Sequence, residues 1–103
     1  MMLTAYRWAS TLGVPLIRFY LSLRMARGKE DAERFGERLG RPGRPRPDGL
    51  LVWVHAASVG ESLSMLPLIG RLLEHRPQRH VLMTTGTVTS ARLMAERLPI
   101  GAF

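Results

Sequence analysis

The chain of 103 residues contains no cysteine. That excludes a disulfide framework and a thiolate-bound zinc, and it fits a reducing compartment. Lysine is nearly absent too. Lys29 is the only one, so the formal charge of +7 is carried almost wholly by arginine. Aromatic residues make up 7% and scarcely enter the arginine-rich stretch, which argues against stacking on a nucleic-acid single strand. No histidine or acidic residue falls at metal-ligand spacing, and neither GxGxxG nor a P-loop is present. No clean apolar run of 18 residues exists, so a membrane-spanning helix is not expected. The start of the chain lacks the basic lead, unbroken apolar run and small cleavage site of a secretory signal.

What is present is apolar and basic. Hydrophobic residues make up 46%, enough to build a core. The arginines offer rigid forks that match phosphate, on a ligand, an anionic lipid or a nucleic acid. The closing residues "LPIGAF" follow a helix-like segment without a further element, so the chain reads as the N-terminal part of a longer one.

Three regions are expected. Residues 1–24, "MMLTAYRWASTLGVPLIRFYLSLR", form a helix whose apolar run is broken by Arg7 and Arg18. Thr4, Arg7, Ser10, Thr11, Arg18 and Ser22 share a narrow stripe, with Trp8, Leu12, Leu16, Phe19 and Leu23 on the other side. Such a helix suits a membrane surface, or packs on its own domain or on a part lying beyond this chain. Pro15 is expected to bend or interrupt it.

Residues 25–48 carry a short charged helix within "RMARGKEDAERFGERLG", then the Pro/Gly/Arg linker "GRPGRPRPDG". The spacing predicts pairs at i,i+4 between Glu30 and Arg34 and between Glu37 and Arg41. Glu37 is either part of a solvated helix face or a base held by its neighbours.

Residues 49–103 hold two strand-to-helix units. "LLVWVHAASVGES" opens with an apolar run from Leu50 to Val54 and ends in small residues. The next segment has helical period, with Leu63, Leu66, Ile69 or Gly70, and Leu73 on one face. Ser58 or Gly60 opens that helix, and Glu61 suits its positive end. "RHVLMTTGT" followed by "VTSARLMAERLP" repeats the plan. Together they predict a parallel α/β sheet covered by helices. Ligands of such sheets sit outside the carboxyl ends of the strands, where "HAASVGE" and "TTGTVTS" lie. His55, at a strand end, either orients a ligand or is hydrogen-bonded at the core's edge. His75 and His80 read as solvated.

Taken in order, "RFGERLG", "WVHAASVGES" and "TTGTVTSARLMAERLP" resemble the 3-deoxy-D-manno-octulosonic acid (Kdo) transferase family. The resemblance runs from the apolar start to the last residues. It implies part of the N-terminal Rossmann-like domain of a GT-B glycosyltransferase, preceded by an amphipathic membrane-associated helix. It implies CMP-Kdo as donor substrate, no cofactor, and a lipid A precursor as acceptor in lipopolysaccharide assembly. It also implies a monotopic location on the cytoplasmic face of the bacterial inner membrane, with a C-terminal donor-binding domain beyond this chain. The family's proposed catalytic base matches Glu37. Arg34 and Arg38 would orient that base or face acceptor phosphates. Ser58, Gly60 and Glu61 become candidates for the acceptor side, with no metal and no nucleic acid. Transfer would be inverting, and the chain without its donor half is expected to be inactive. The alternative is a non-catalytic α/β module that binds anionic lipid through its arginines.

Overall fold

A computed structural model describes residues 1–103. Its first element is a helix, α1, over Met2–Ala26. It runs on through Pro15, so the proline does not interrupt it. A proline removes one intrahelical hydrogen bond, and the turns on either side keep theirs. Thr11 and Ser22 donate their hydroxyls to the carbonyls of Arg7 and Arg18 one turn back. No residue of α1 is buried, and no other helix or strand packs on it. Neither α1 nor any other helix is long and apolar enough to cross a membrane.

The charged helix expected next does not form. Gly28, at a φ of +74°, ends α1 in the left-handed region that glycine adopts readily. Asp31 then accepts the backbone N–H groups of Glu33 and Arg34 at 3.0 and 3.3 Å, closing a turn. What remains is a five-residue 3-10 helix, Phe35–Leu39, ended by Gly40 at a φ of +78°. The predicted pairs of Glu30 with Arg34 and of Glu37 with Arg41 need a continuous α-helix, and neither is made.

Strand β1 spans Leu51–Ala56, helix α2 spans Val59–His75, strand β2 spans His80–Thr85 and helix α3 spans Val88–Arg97. The strands are parallel, with Val52 beside Val81 and Val54 beside Met83. Val52, Val54 and Ala56 point the same way as Val81 and Met83, toward Ile69, Leu73 and Met94 of the helices. This is the core. The other face of the sheet shows Trp53 and His55 to solvent. Gly101–Phe103 return along the free edge of β2, exchanging backbone hydrogen bonds with Val81 and Met83.

Two expectations about α2 and its neighbours change. Ser62, fully buried, takes the sheet-facing position assigned to Leu63, which is exposed. Its hydroxyl donates to the Ser58 carbonyl at 2.8 Å, so it is buried without an unmet polar group, and its small size lets α2 approach the sheet. His80 is half-buried as the first residue of β2, where the strand and the returning chain flank it, rather than solvated.

Candidate functional site

The site collects at the carboxyl ends of β1 and β2. The turn after β1 is fixed by two hydrogen bonds between Glu61 and the residues at the start of α2. The Ser58 hydroxyl accepts the Glu61 N–H at 3.2 Å, and the Glu61 carboxylate accepts the Ala57 N–H at 2.8 Å. Ser58, not Gly60, is the cap. Thr87 caps α3 in the same way, accepting the Ser90 N–H at 3.1 Å. The two turns touch. A Cβ added to Gly86 would lie 3.0 Å from the Ala57 carbonyl oxygen, closer than most real contacts. Glycine at 86 is therefore what lets the turns approach. Gly60 faces open space.

The 3-10 helix is brought to this edge by Arg38. One guanidinium nitrogen donates to the Gly86 carbonyl at 2.6 Å, and Nε donates to Glu30 at 2.9 Å. Arg38 is thus engaged on both sides. Arg34 has the other role. It grips the Glu37 carboxylate with two hydrogen bonds, 2.9 Å from Nε and 3.1 Å from the terminal nitrogen. The sequence left open whether these arginines orient Glu37; the geometry gives the direct contact to Arg34. Arg34 takes two of the roughly four acceptor positions that a carboxylate offers, so Glu37 keeps capacity to accept a proton. Its side chain is 36% exposed, open to a ligand.

The carboxylate of Glu37 lies close to a glycine beyond the 3-10 helix. A Cβ at Gly43 would sit 2.8 Å from Glu37 Oε1, whereas one at Gly40 would meet nothing. Room around Glu37 is therefore given by Gly43, in the stretch the sequence presents as a plain linker.

Glu30 was read from the sequence only as a partner for Arg34, not as part of the site. It is the only buried carboxylate, its side chain 4% exposed. Oε1 accepts from Arg24 at 3.0 Å and Oε2 from Arg38 at 2.9 Å. Burial pushes its carboxyl up, but the hydrogen bonds from Arg38 and Arg24, with their charges, outweigh this and hold it below the ordinary range. Gly28 is the signal that could have found it, since a helix ending there frees Glu30 to turn back. On the open face of the sheet, Thr84 Oγ1 lies 2.9 Å from Trp53 Nε1 and 2.8 Å from His55 Nδ1. His55 is thus hydrogen-bonded, on the exposed face and not at the core's edge.

Fold and site together define a parallel α/β unit preceded by a short helix that carries one carboxylate clamped by an arginine. Residues 33–102 match the family described as 3-deoxy-D-manno-octulosonic-acid transferase (kdotransferase), and the chain belongs to that family. It is 40% identical over 94 residues to a probable mitochondrial 3-deoxy-D-manno-octulosonic acid transferase of Arabidopsis thaliana, covering 90% of this chain and 21% of that protein. It is 37% identical over 99 residues to the 3-deoxy-D-manno-octulosonic acid transferase of Rickettsia bellii, covering 95% of this chain and 23% of that one. With the Haemophilus influenzae transferase it shares 34% over 80 residues, 75% of this chain and 18% of the other. The chain therefore spans about a fifth of the length of these curated relatives. No solved structure matches it.

Proposed function

We propose that this chain supplies the acceptor-side portion of a GT-B glycosyltransferase that moves Kdo from CMP-Kdo to a lipid A precursor, with Glu37 as general base. The observation that supports the reading is the Arg38 tether to Gly86, which ties the helix carrying Glu37 to the turn after β2, at the carboxyl edge of the sheet. Ligands of parallel α/β sheets bind at that edge.

A sugar hydroxyl is a poor nucleophile at neutral pH. Glu37 takes its proton as the oxygen attacks the anomeric carbon of Kdo, and the bond to the CMP phosphate breaks in the same displacement, inverting that carbon. Arg34 holds the carboxylate in one orientation, so little reorganisation is left for the reaction itself. Ser58 and Glu61 are used up as caps and shape the acceptor side through the turn they fix. Gly60 leaves that turn open for a close approach. The donor is held by a C-terminal domain outside this chain. Helix α1 rests on the anionic surface of the cytoplasmic face of the inner membrane, where the acylated acceptor is found.

The test is Glu37→Gln in the complete enzyme. Loss of a general base lowers turnover by roughly 10²–10⁴-fold. The variant should keep the parent's circular dichroism and melting temperature. Turnover within about threefold of the parent would end the assignment. The isolated 103-residue chain should show no transfer, because the donor half supplies the leaving group's site.

A further inference from the structure

We infer that Glu30 is a positioning residue for Glu37, acting through Arg38. The inference rests on the proposed role of Glu37 and extends it to the device that sets where the base stands.

The 3-10 helix that carries Glu37 buries none of its own residues. Five residues wound this way make few hydrogen bonds and cannot hold a fixed place by themselves. Its contact with Arg34 does not solve the problem, because Arg34 is its N-cap and moves with it. The tie to the body of the protein is Arg38, the residue next to Glu37. Its guanidinium reaches the Gly86 carbonyl, 48 residues away in sequence. A guanidinium on a long flexible stem would sample many directions. Glu30 removes that freedom by accepting from Nε at 2.9 Å. The planar fork is then held by one anchor on each side, and the backbone at Glu37 follows.

A carboxylate is a costly anchor to bury, and an apolar residue would fill the space at less cost. What the carboxylate adds is direction. It has two oxygens and uses both, Oε2 for Arg38 and Oε1 for Arg24 in the last turn of α1. The Arg24–Glu30 pair is the only ion pair joining α1 to the rest of the chain. Glu30 therefore joins α1 to the Glu37 helix and, through Arg38, to the turn after β2. A displacement of this kind is felt in turnover, since a misplacement of about 1 Å costs on the order of 100-fold.

The experiment uses the full-length enzyme and three single variants, Glu30→Gln, Arg38→Lys and Glu37→Gln. Glu30→Gln leaves a neutral side chain that puts an NH2 donor, in place of one carboxylate oxygen, opposite one of the two arginines. Arg38→Lys keeps the charge but cannot bridge Glu30 and Gly86. Both should lower kcat by roughly 10- to 100-fold while KM for the donor stays within about threefold. Glu30→Asp should recover part of the loss. A second readout does not depend on catalysis. Spin labels at Ala32→Cys and Thr89→Cys, in a full-length enzyme from which any other cysteine has been removed, should give one narrow distance. That distance should broaden with Glu30→Gln and with Arg38→Lys but not with Glu37→Gln. The inference is overturned if kcat stays within about twofold of the parent or the distance does not broaden. Where Glu30→Gln does not fold, Arg38→Lys decides by the same two criteria. If Glu37→Gln alone retains turnover, the base assignment fails, and the label distances still judge the positioning of the segment.

Discussion

Helix α1 and the βα units that follow are both rich in large apolar residues, yet they use them in opposite ways. In the α/β part, Ile69 and Val81 are wholly buried and Leu73, Met83 and Met94 nearly so. In α1, Leu12 and Leu16 are more than 70% exposed, and Tyr6, Trp8 and Phe19 more than 60%. Hydrophobicity does not distinguish the two. The difference lies in what each apolar face meets. Two strands in register offer a surface onto which α2 and α3 close, whereas nothing in the chain closes on α1. One region folds by burying its apolar residues. The other displays them, with arginines at Arg7 and Arg18 among them.

The sharpest way to break this comparison is to remove apolar volume from each side. Ile69→Ala deletes a side chain with no exposed surface and leaves a cavity between α2 and the sheet. The expected loss is about 2–5 kcal/mol, seen as a lower unfolding midpoint of the complete protein. An unchanged midpoint would mean that the core is not where the packing places it.

The core was readable for a physical reason. Apolar runs that end in small residues, followed by a period near 3.6, are what a buried parallel βα unit requires, and both units carry the signal. The boundaries were less readable, since β1 runs on to Ala56 and Ser62 replaces Leu63 against the sheet. A serine that satisfies its own hydroxyl within the helix is a better neighbour for a close strand than a leucine, and periodicity alone does not contain that. At the candidate site the motif points to Glu37, with Arg34 and Arg38 to orient it or face acceptor phosphates, but the contacts that hold these residues are not legible. Glu30 and Arg38 make contacts that depend on Gly28 breaking the helix and on a carbonyl far along the chain. Gly43 acquires its meaning only when the linker folds back against Glu37.

A smaller effect is expected where the two regions join. Glu30 is held below its ordinary pKa of 4.5, so the folded form keeps its proton off more strongly than the unfolded chain does. Its contribution to stability is full above the unfolded value and fades as pH falls through the lowered folded one. Glu30→Gln should therefore cost stability at neutral pH, on the order of 1–2 kcal/mol, with the arginines' partial exposure keeping it modest. The gap between parent and variant should narrow as unfolding is measured at successively lower pH below about 4.5. A gap that is constant with pH would show that the carboxylate's charge is not what joins α1 to the site.

The smallest effect on stability, and the one that tells most about α1, should come from Leu16→Ser combined with Phe19→Ser. Both side chains are exposed, so unfolding of the complete protein should shift by no more than about 0.5 kcal/mol. The same pair should weaken flotation with vesicles of anionic lipid by roughly tenfold or more, because each side chain loses on the order of 2 kcal/mol of apolar transfer into the interface. Flotation that persists undiminished would leave the arginines as the whole attraction to the surface. A marked fall in melting temperature would give a different answer. It would mean that α1 packs on the part of the protein beyond this chain, and the contrast between a buried and a displayed apolar face would then hold only within these 103 residues.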